Sequence, residues 1–245
     1  MLTVDLDQLG LSPGQVCLDV GCGEGRHTLA TYLLEDVFAL GLDLSAEDLA
    51  TARGRITDMQ PHSPGGQIGF ATGDATALPL ADETVDAVIA SEILEHIPNY
   101  LTVLEETLRV LKPGGRLCVS VPRQWPEWIC WQLSEQYRTT PGGHIRIFDA
   151  THLRREIQQQ GFEFVGRGSA HALHVPYWWL KCLFWRREPE PSLLRWYHKL
   201  LVWDLMARPW LTRAIDDLLN PVMSKSIILY FTKSGTAKAA VGDRA

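Results

Sequence analysis

Apolar and polar positions alternate along the first half of the chain in a strand–helix rhythm. Val16, Leu18 and Val20 with Cys17 form a short apolar run, bounded by Pro13-Gly14 before it and glycines after it, which predicts a buried strand. A helix follows over about Arg26 to Leu34, and Val37 to Leu42 predicts a second strand. Ser45 is placed to cap a helix over Ala46 to Met59, with Glu47 and Asp48 in its first turn. Phe70 to Ala75 reads as the end of a third strand, and Val85 to Ala90 as a fourth that runs into Ser91-Glu92. Pro98-Asn99-Tyr100 opens a helix over Leu101 to Leu111; Lys112-Pro113-Gly114-Gly115 stops it, and Arg116 to Val121 is a fifth strand. This order predicts an α/β fold, a parallel sheet with right-handed crossovers. Leu2, Val4, Leu6 and Leu9 of the leading segment are placed to cover the sheet, and Gln60 to Gln67, with Pro61, Pro64, Gly65 and Gly66, reads as a surface turn.

The chemistry sits where strands end. Gly21, Gly23 and Gly25 fall within five residues of one another, between the first strand and its helix. Glycines allow positive φ and close approach of a ligand, and the helix start beyond offers free N–H groups and partial positive charge. About 20 residues further on, Asp43 closes the second strand, where a dinucleotide-type fold puts the acid that takes ribose hydroxyls. Asp74 and Ser91-Glu92 stand at the tips of the third and fourth strands. Open α/β sheets bind ligands outside those carboxyl ends.

The set of motifs resembles the class I S-adenosylmethionine-dependent methyltransferases, in their small-molecule branch. The residues that carry the resemblance are Leu18-Asp19-Val20-Gly21-Cys22-Gly23-Glu24-Gly25, Gly41-Leu42-Asp43-Leu44-Ser45, Gly73 to Asp82, Val85 to Val88, Glu92-Ile93-Leu94-Glu95-His96-Ile97 and Glu106 to Pro122. It covers about Leu9 to Pro122 and is only architectural from there to Thr232. The resemblance implies a Rossmann-like, seven-stranded, mostly parallel sheet with helices on both faces, and S-adenosylmethionine as cofactor with S-adenosylhomocysteine as product. It further implies that Asp19, Gly21, Cys22 and Gly23 hold the amino-acid part of the cofactor, with Arg26 in reach of its carboxylate. Asp43 takes the ribose hydroxyls and Leu44 packs on the adenine. Asp74 accepts from the adenine amino group and Ala75 offers its N–H, while Ser91 and Glu92 line the side near the methyl.

Methyl transfer from a sulfonium is an in-line displacement that chiefly needs a positioned nucleophile and no competing water; proton removal helps when the nucleophile is a hydroxyl. The candidates for that base are His144, in Gly142-Gly143-His144-Ile145-Arg146-Ile147-Phe148 before a helix over Ala150 to Gln160, and His96 after the fourth strand; His171 and His174 are weaker candidates. His27 reads as a solvated helix start. Glu127, with Trp125, Trp128 and Trp131, is placed to roof the pocket or to pack a helix.

Phe162 to Val165 reads as the sixth strand and Ser226 to Phe231 as the last. The family joins these by a tight hairpin; here roughly sixty residues intervene. The organisation is therefore a cofactor-binding core over 1–168, a helical, Trp- and Arg-rich insertion over 169–225, a last core strand over 226–232 and a tail over 233–245. The insertion interleaves Tyr177, Trp178, Trp179, Trp185, Trp196, Trp203 and Trp210 with Lys181, Arg186, Arg187, Arg195, Lys199 and Arg208. Leu193, Trp196, Tyr197, Leu200, Leu201, Asp204 and Leu205 predict one amphipathic helix. Aromatics flanked by cations suit a water–lipid boundary contacted through 177–210, and equally a homodimer interface, an acceptor lid or a cap packed on its own sheet.

Composition narrows the partners. The formal net charge is −6 with no basic tract, so a nucleic-acid substrate has no electrostatic support. Five cysteines show neither metal spacing nor the even count of a disulfide framework, so a reducing, cytoplasmic setting and no metal are expected. No basic leader and no uncharged apolar run of membrane-spanning length is present. The expected function is methyl transfer to a non-nucleic acceptor, most readily at a hydroxyl oxygen of a lipid-linked, sugar or secondary-metabolite compound. A carbon or nitrogen of a quinone- or lipid-like acceptor, or a cofactor-binding module without catalysis, are the alternatives.

Overall fold

The computed structural model describes residues 2–57, 59 and 66–235. In chain order the elements are α1 (Leu6–Leu9), β1 (Val16–Val20), α2 (Arg26–Tyr32), β2 (Phe38–Asp43), α3 (Ala46–Ile56), β3 (Gln67–Thr72), β4 (Val85–Ser91), α4 (Tyr100–Val110), β5 (Leu111–Pro122), α5 (Gln124–Leu133), α6 (Glu135–Arg138), α7 (Ala150–Gln160), β6 (Phe162–Ala170), α8 (His174–Leu183), α9 (Ser192–Ala207), α10 (Trp210–Met223) and β7 (Ser226–Lys233). The strands form one seven-stranded sheet in the order β3-β2-β1-β4-β5-β7-β6. Only β7 runs against its neighbours.

The order places β1 and β4 side by side, where the chain reverses from building toward β3 to building toward β6. The crevice of a doubly wound sheet opens at that switch point. Both faces of the sheet are apolar and covered. Leu18, Val88, Leu117 and Val119 pack on one side with Leu94, Val103, Leu104 and Leu153. On the other, Cys17, Ala87, Ile89 and Cys118 pack with Val4 and Leu9. The leading segment thus covers the sheet as expected, except that Leu2 faces solvent.

Several elements differ in extent from the sequence expectation. β5 begins at Leu111, inside the expected turn, because Leu111 pairs with Val85 before a bulge resets the register to Arg116 opposite Ala87. β6 runs on to Ala170, where antiparallel β7 supplies partners as far as Ser226. α2 and α3 stop at Tyr32 and Ile56, short of Leu34 and Met59. Lys233, expected in the tail, ends β7 and donates from Nζ to Leu111 O at 2.6 Å. Most of the Gln60–Gln67 turn and most of the tail lie outside the described residues. All five cysteines are free and buried.

Between β6 and β7 stand three helices rather than the one expected. α9 buries Leu194 and Leu201, while Leu193 and Trp196 of the expected apolar stripe face outward. α10 is inverted: its polar side faces inward, where Asp216 Oδ1 accepts from Leu173 N at 2.9 Å and Asn220 Oδ1 from Ala172 N at 3.0 Å. Its apolar stripe, Leu211, Ile215, Leu218 and Val222, is exposed, with Leu218 at 77% and neighbouring Trp210 at 79%. No helix among the described residues is long and apolar enough to cross a membrane.

Candidate functional site

The glycine loop is tied to the sheet by main chain. Gly21 N and Cys22 N both donate to Leu42 O, at 2.8 and 3.0 Å, so the loop folds over the end of β2. Gly21, Gly23 and Gly25 have φ of 68°, 50° and 79°, in the left-handed region. At Gly21 a Cβ would lie 2.2 Å from Ile93 Cδ1, whereas at Gly23 it would meet nothing within 4 Å. The loop therefore packs at one glycine and leaves open space at the next.

Asp19 lies beneath this loop, only 2% exposed. Its Oδ2 accepts from Thr28 N at 2.9 Å and Thr28 Oγ1 at 2.7 Å, which pins the first turn of α2 to β1. Burial pushes its pKa up to about 6, against the opposing pull of the Thr28 hydrogen bonds. Asp43, at the tip of β2, bridges two elements: Oδ2 accepts from Gly23 N at 2.7 Å and Oδ1 from Ser45 N at 2.8 Å. Each oxygen keeps a further lone pair. Leu44 beside it is 69% exposed. At the tip of β3, Asp74 Oδ1 accepts from Thr76 N and Thr76 Oγ1, and these bonds hold its carboxyl below the ordinary range.

Of the residues singled out in the sequence, Gly21, Asp43, Leu44, Ala75, Glu92 and His96 line a single cleft of about 210 Å³ above β1, β2 and β4. Arg26 is exposed and donates from Nη2 to Thr3 Oγ1. Cys22 is buried, with its thiol pushed up by that burial. Ser91 Oγ and Ser120 Oγ lie 2.8 Å apart, and Ser120 Oγ donates to Glu92 Oε1 at 3.0 Å. His27 is not solvated: it is 4% exposed, and its Nε2 accepts from Thr3 N at 3.2 Å. The leading segment crosses over this helix start and buries it, which the local sequence does not signal. His171, with Thr3 Oγ1 at 3.2 Å from its Nε2, packs near this segment together with His174.

Next to the cleft stands a largely buried polar cluster. His144 Nδ1 lies 2.7 Å from Glu127 Oε1, and Tyr137 OH and Trp131 Nε1 donate to the same oxygen at 3.0 and 3.2 Å. Burial raises the Glu127 pKa, but His144, Tyr137 and Lys225 outweigh it and hold the carboxyl below its usual value. The His96 and His144 rings meet edge to face at 5.0 Å. Burial and the neighbouring His144 hold His96 below the ordinary histidine pKa, against hydrogen bonding by the Gly143 carbonyl. Glu95 is completely buried, with Oε1 4.0 Å from His144 Nε2 and neither oxygen hydrogen-bonded. Burial, with Glu92 adding to it, pushes the Glu95 carboxyl well above the carboxylate range.

Glu95, Tyr137 and Lys225 are members that the sequence reading did not single out. Glu95 had a faint local signal, a carboxylate three residues after Glu92 and adjacent to His96. Tyr137 and Lys225 come from distant segments that only the packing of α5, α6 and β7 brings in.

The methyltransferase-domain family model matches residues 18–119. Two curated relatives are the 27-O-demethylrifamycin SV methyltransferase of Amycolatopsis mediterranei, 33% identical over 63% of this chain and 56% of its own, and the malonyl-[acyl-carrier protein] O-methyltransferase of Methylococcus capsulatus, 31% identical over 66% and 56%. This chain therefore spans little more than half the length of either relative. Among solved structures, an S-adenosylmethionine-dependent methyltransferase from Methanosarcina mazei superimposes with a TM-score of 0.63 at 15% identity, over 95% of this chain and 99% of its own. Residues 18–119 are thus a methyltransferase domain, and the sheet order, with the glycine loop under a cleft at the switch point, is the fold of the class I S-adenosylmethionine-dependent methyltransferases.

Proposed function

We propose that this chain methylates a hydroxyl oxygen of an acceptor presented at a lipid surface, with S-adenosylmethionine as donor. The observation that carries the reading is adjacency: Glu92 and His96 border the cleft at the strand tips, and His96 also touches the largely buried His144–Glu127 pair. The loop fits the cofactor, since the position of a Cβ on Gly23 is empty and Asp43 has lone pairs to spare. When bound, the cofactor supplies an electrophilic methyl whose bonding electrons depart on sulfur. Gly21 and Gly23 would hold its amino-acid end, Asp43 its ribose, and Leu44, Asp74 and Ala75 its adenine. Asp19 and Arg26 would act from the margin, Asp19 by fixing α2 through Thr28.

The chain's own share of the reaction is orientation and proton handling. Glu127 accepts the Nδ1 proton of His144 and so leaves Nε2 as its basic atom, turned toward Glu95 and His96. A hydroxyl reaching this cluster loses its proton to that nitrogen as its oxygen attacks the methyl carbon. His144→Ala is expected to lower kcat about 100-fold and leave the Kd for adenosylmethionine within about 3-fold. Single-turnover transfer of labelled methyl to lipid and polar cell extracts, alongside calorimetric cofactor titration, measures both. Cofactor binding without transfer to any fraction would reduce the protein to a binding module.

The lipid part of the reading rests on the inverted helix α10. Residues 171–222 hold seven Lys and Arg against five Asp and Glu in a chain of net charge −6. An exposed apolar stripe on an insertion with an excess of cations suits an anionic bilayer surface. The chain is expected to sediment with phosphatidylglycerol vesicles, and Trp210→Ser with Leu218→Ser to weaken partitioning about 10-fold or more. Both side chains are already exposed, so their loss leaves the fold intact. Unchanged partitioning would reject the surface, and a lipid-free dimer abolished by the same substitutions would assign it to a second copy.

A further inference from the structure

We infer that Glu95, His96 and His144 form a binding site for a divalent first-row transition cation at the wall of the cleft. Each brings a ligand atom to within 4.8 Å of the other two. His144 Nε2 and Glu95 Oε1 are 4.0 Å apart, close to the span of two ligands across one metal. The orientation of each ring supports this use. His144 Nδ1 is engaged by Glu127 and His96 Nδ1 by Gly143 O at 3.2 Å, so both rings keep Nε2 free. An imidazole whose far nitrogen donates to a carboxylate or carbonyl is the usual arrangement behind a metal-bound histidine. Glu127 is itself fixed by Tyr137 OH and Trp131 Nε1.

The independent observation is Glu95. It is completely buried, and both of its oxygens lack any donor, in a protein whose other buried carboxylates, Asp19 and Glu127, are hydrogen-bonded. Buried acceptors without partners call for an explanation, and a cation supplies one. Acidic side chains predominate nearby: Glu127 pairs with His144 at 2.7 Å, Glu95 stands 4.0 Å from the same ring, and Glu92 has Lys225 3.4 Å away. Two imidazoles and one carboxylate suit Mn2+, Fe2+, Co2+ or Zn2+, and three protein ligands leave positions open.

His96 lines the cleft, so a cation held by it would stand at the cleft wall, beside the place proposed for the cofactor. This placement rests on the proposed methyltransferase reading; the binding of the cation does not. A hydroxyl coordinated there loses its proton to solvent water and attacks the methyl carbon as an alkoxide, with the C–S electrons leaving on sulfur. His144 then serves as a ligand, and the cation takes over the task of the base.

The test needs neither cofactor nor acceptor. The chelator-stripped full chain, titrated with Mn2+ and with Co2+ by calorimetry, is expected to bind one equivalent. The Co2+ form should show d–d absorption without a thiolate charge-transfer band. Glu95→Gln and His96→Gln, each keeping side-chain size, should weaken binding about 10-fold or more, and Glu127→Gln, acting through His144, about 10-fold. No saturable binding by the unaltered chain, or binding unchanged in both ligand variants, overturns the site. Either result leaves the methyltransferase reading standing, and loss of that reading leaves the cation titration interpretable.

Discussion

Replacing Asp43 by alanine is expected to weaken adenosylmethionine binding about 1000-fold. The carboxylate is placed for two tasks. It clamps the glycine loop to the start of α3 through Gly23 N at 2.7 Å and Ser45 N at 2.8 Å. Its remaining lone pairs point at the cleft, where they would accept from two ribose hydroxyls. A hydrogen bond to a charged acceptor contributes about 1.5–3 kcal/mol, so losing two costs roughly 4 kcal/mol, or about three powers of ten in Kd. Asp43→Asn keeps one acceptor oxygen and should fall between. Calorimetric titration with adenosylmethionine and adenosylhomocysteine reads both; a Kd within about 3-fold of the parent would remove Asp43 from the ribose site.

Acidification should destabilise the fold between pH 7 and pH 5, by at most about 5 kcal/mol. Burial pushes the pKa of His27 down to about 3, with Arg26 adding to the effect, and likewise lowers His171 to about 3 and His174 to about 4. In the unfolded chain each titrates near 6.5. Below that pH the unfolded state takes up protons that the folded state refuses, so stability is fully present above 6.5 and is lost as pH falls toward 4 for His174 and toward 3 for His27 and His171. Each histidine removes roughly 2 kcal/mol over the interval. Asp19, raised to about 6, works in the opposite sense, because the folded chain takes up its proton first, and returns roughly 1 kcal/mol. Glu95 also opposes the loss. Urea midpoints at the two pH values measure the difference, and His27→Gln should remove about a third of the histidine contribution while still accepting from Thr3 N. A profile flat between pH 7 and 5 would contradict the buried, neutral state of these rings.

The residues at the strand tips were legible because their determinants are local. A glycine loop must follow its strand directly, and an acid at a strand tip must follow the apolar run that makes the strand. Gly21, Gly23 and Asp43 could therefore be singled out from spacing, and the structure assembles Gly21, Asp43, Leu44, Ala75, Glu92 and His96 around one cleft. The acceptor half was not legible in the same way. His144, His96 and Glu127 stood out in the sequence, but Tyr137 and Glu95 are unremarkable in their own segments, and the five come together only when α5, α6 and the turn after β4 converge.

By itself the sequence determined the α/β alternation, the glycine loop, the acids at the strand tips and the interruption between β6 and β7. Period, turn chemistry and spacing act over a few residues, and the chain carries them wherever it goes. Tertiary structure alone decided that His27 is buried by residues from the amino terminus, that α10 turns its apolar stripe outward, and that Glu95 has no donor. Each of those outcomes depends on which distant surface arrives to cover a side chain, and burial is a property of the neighbour as much as of the residue.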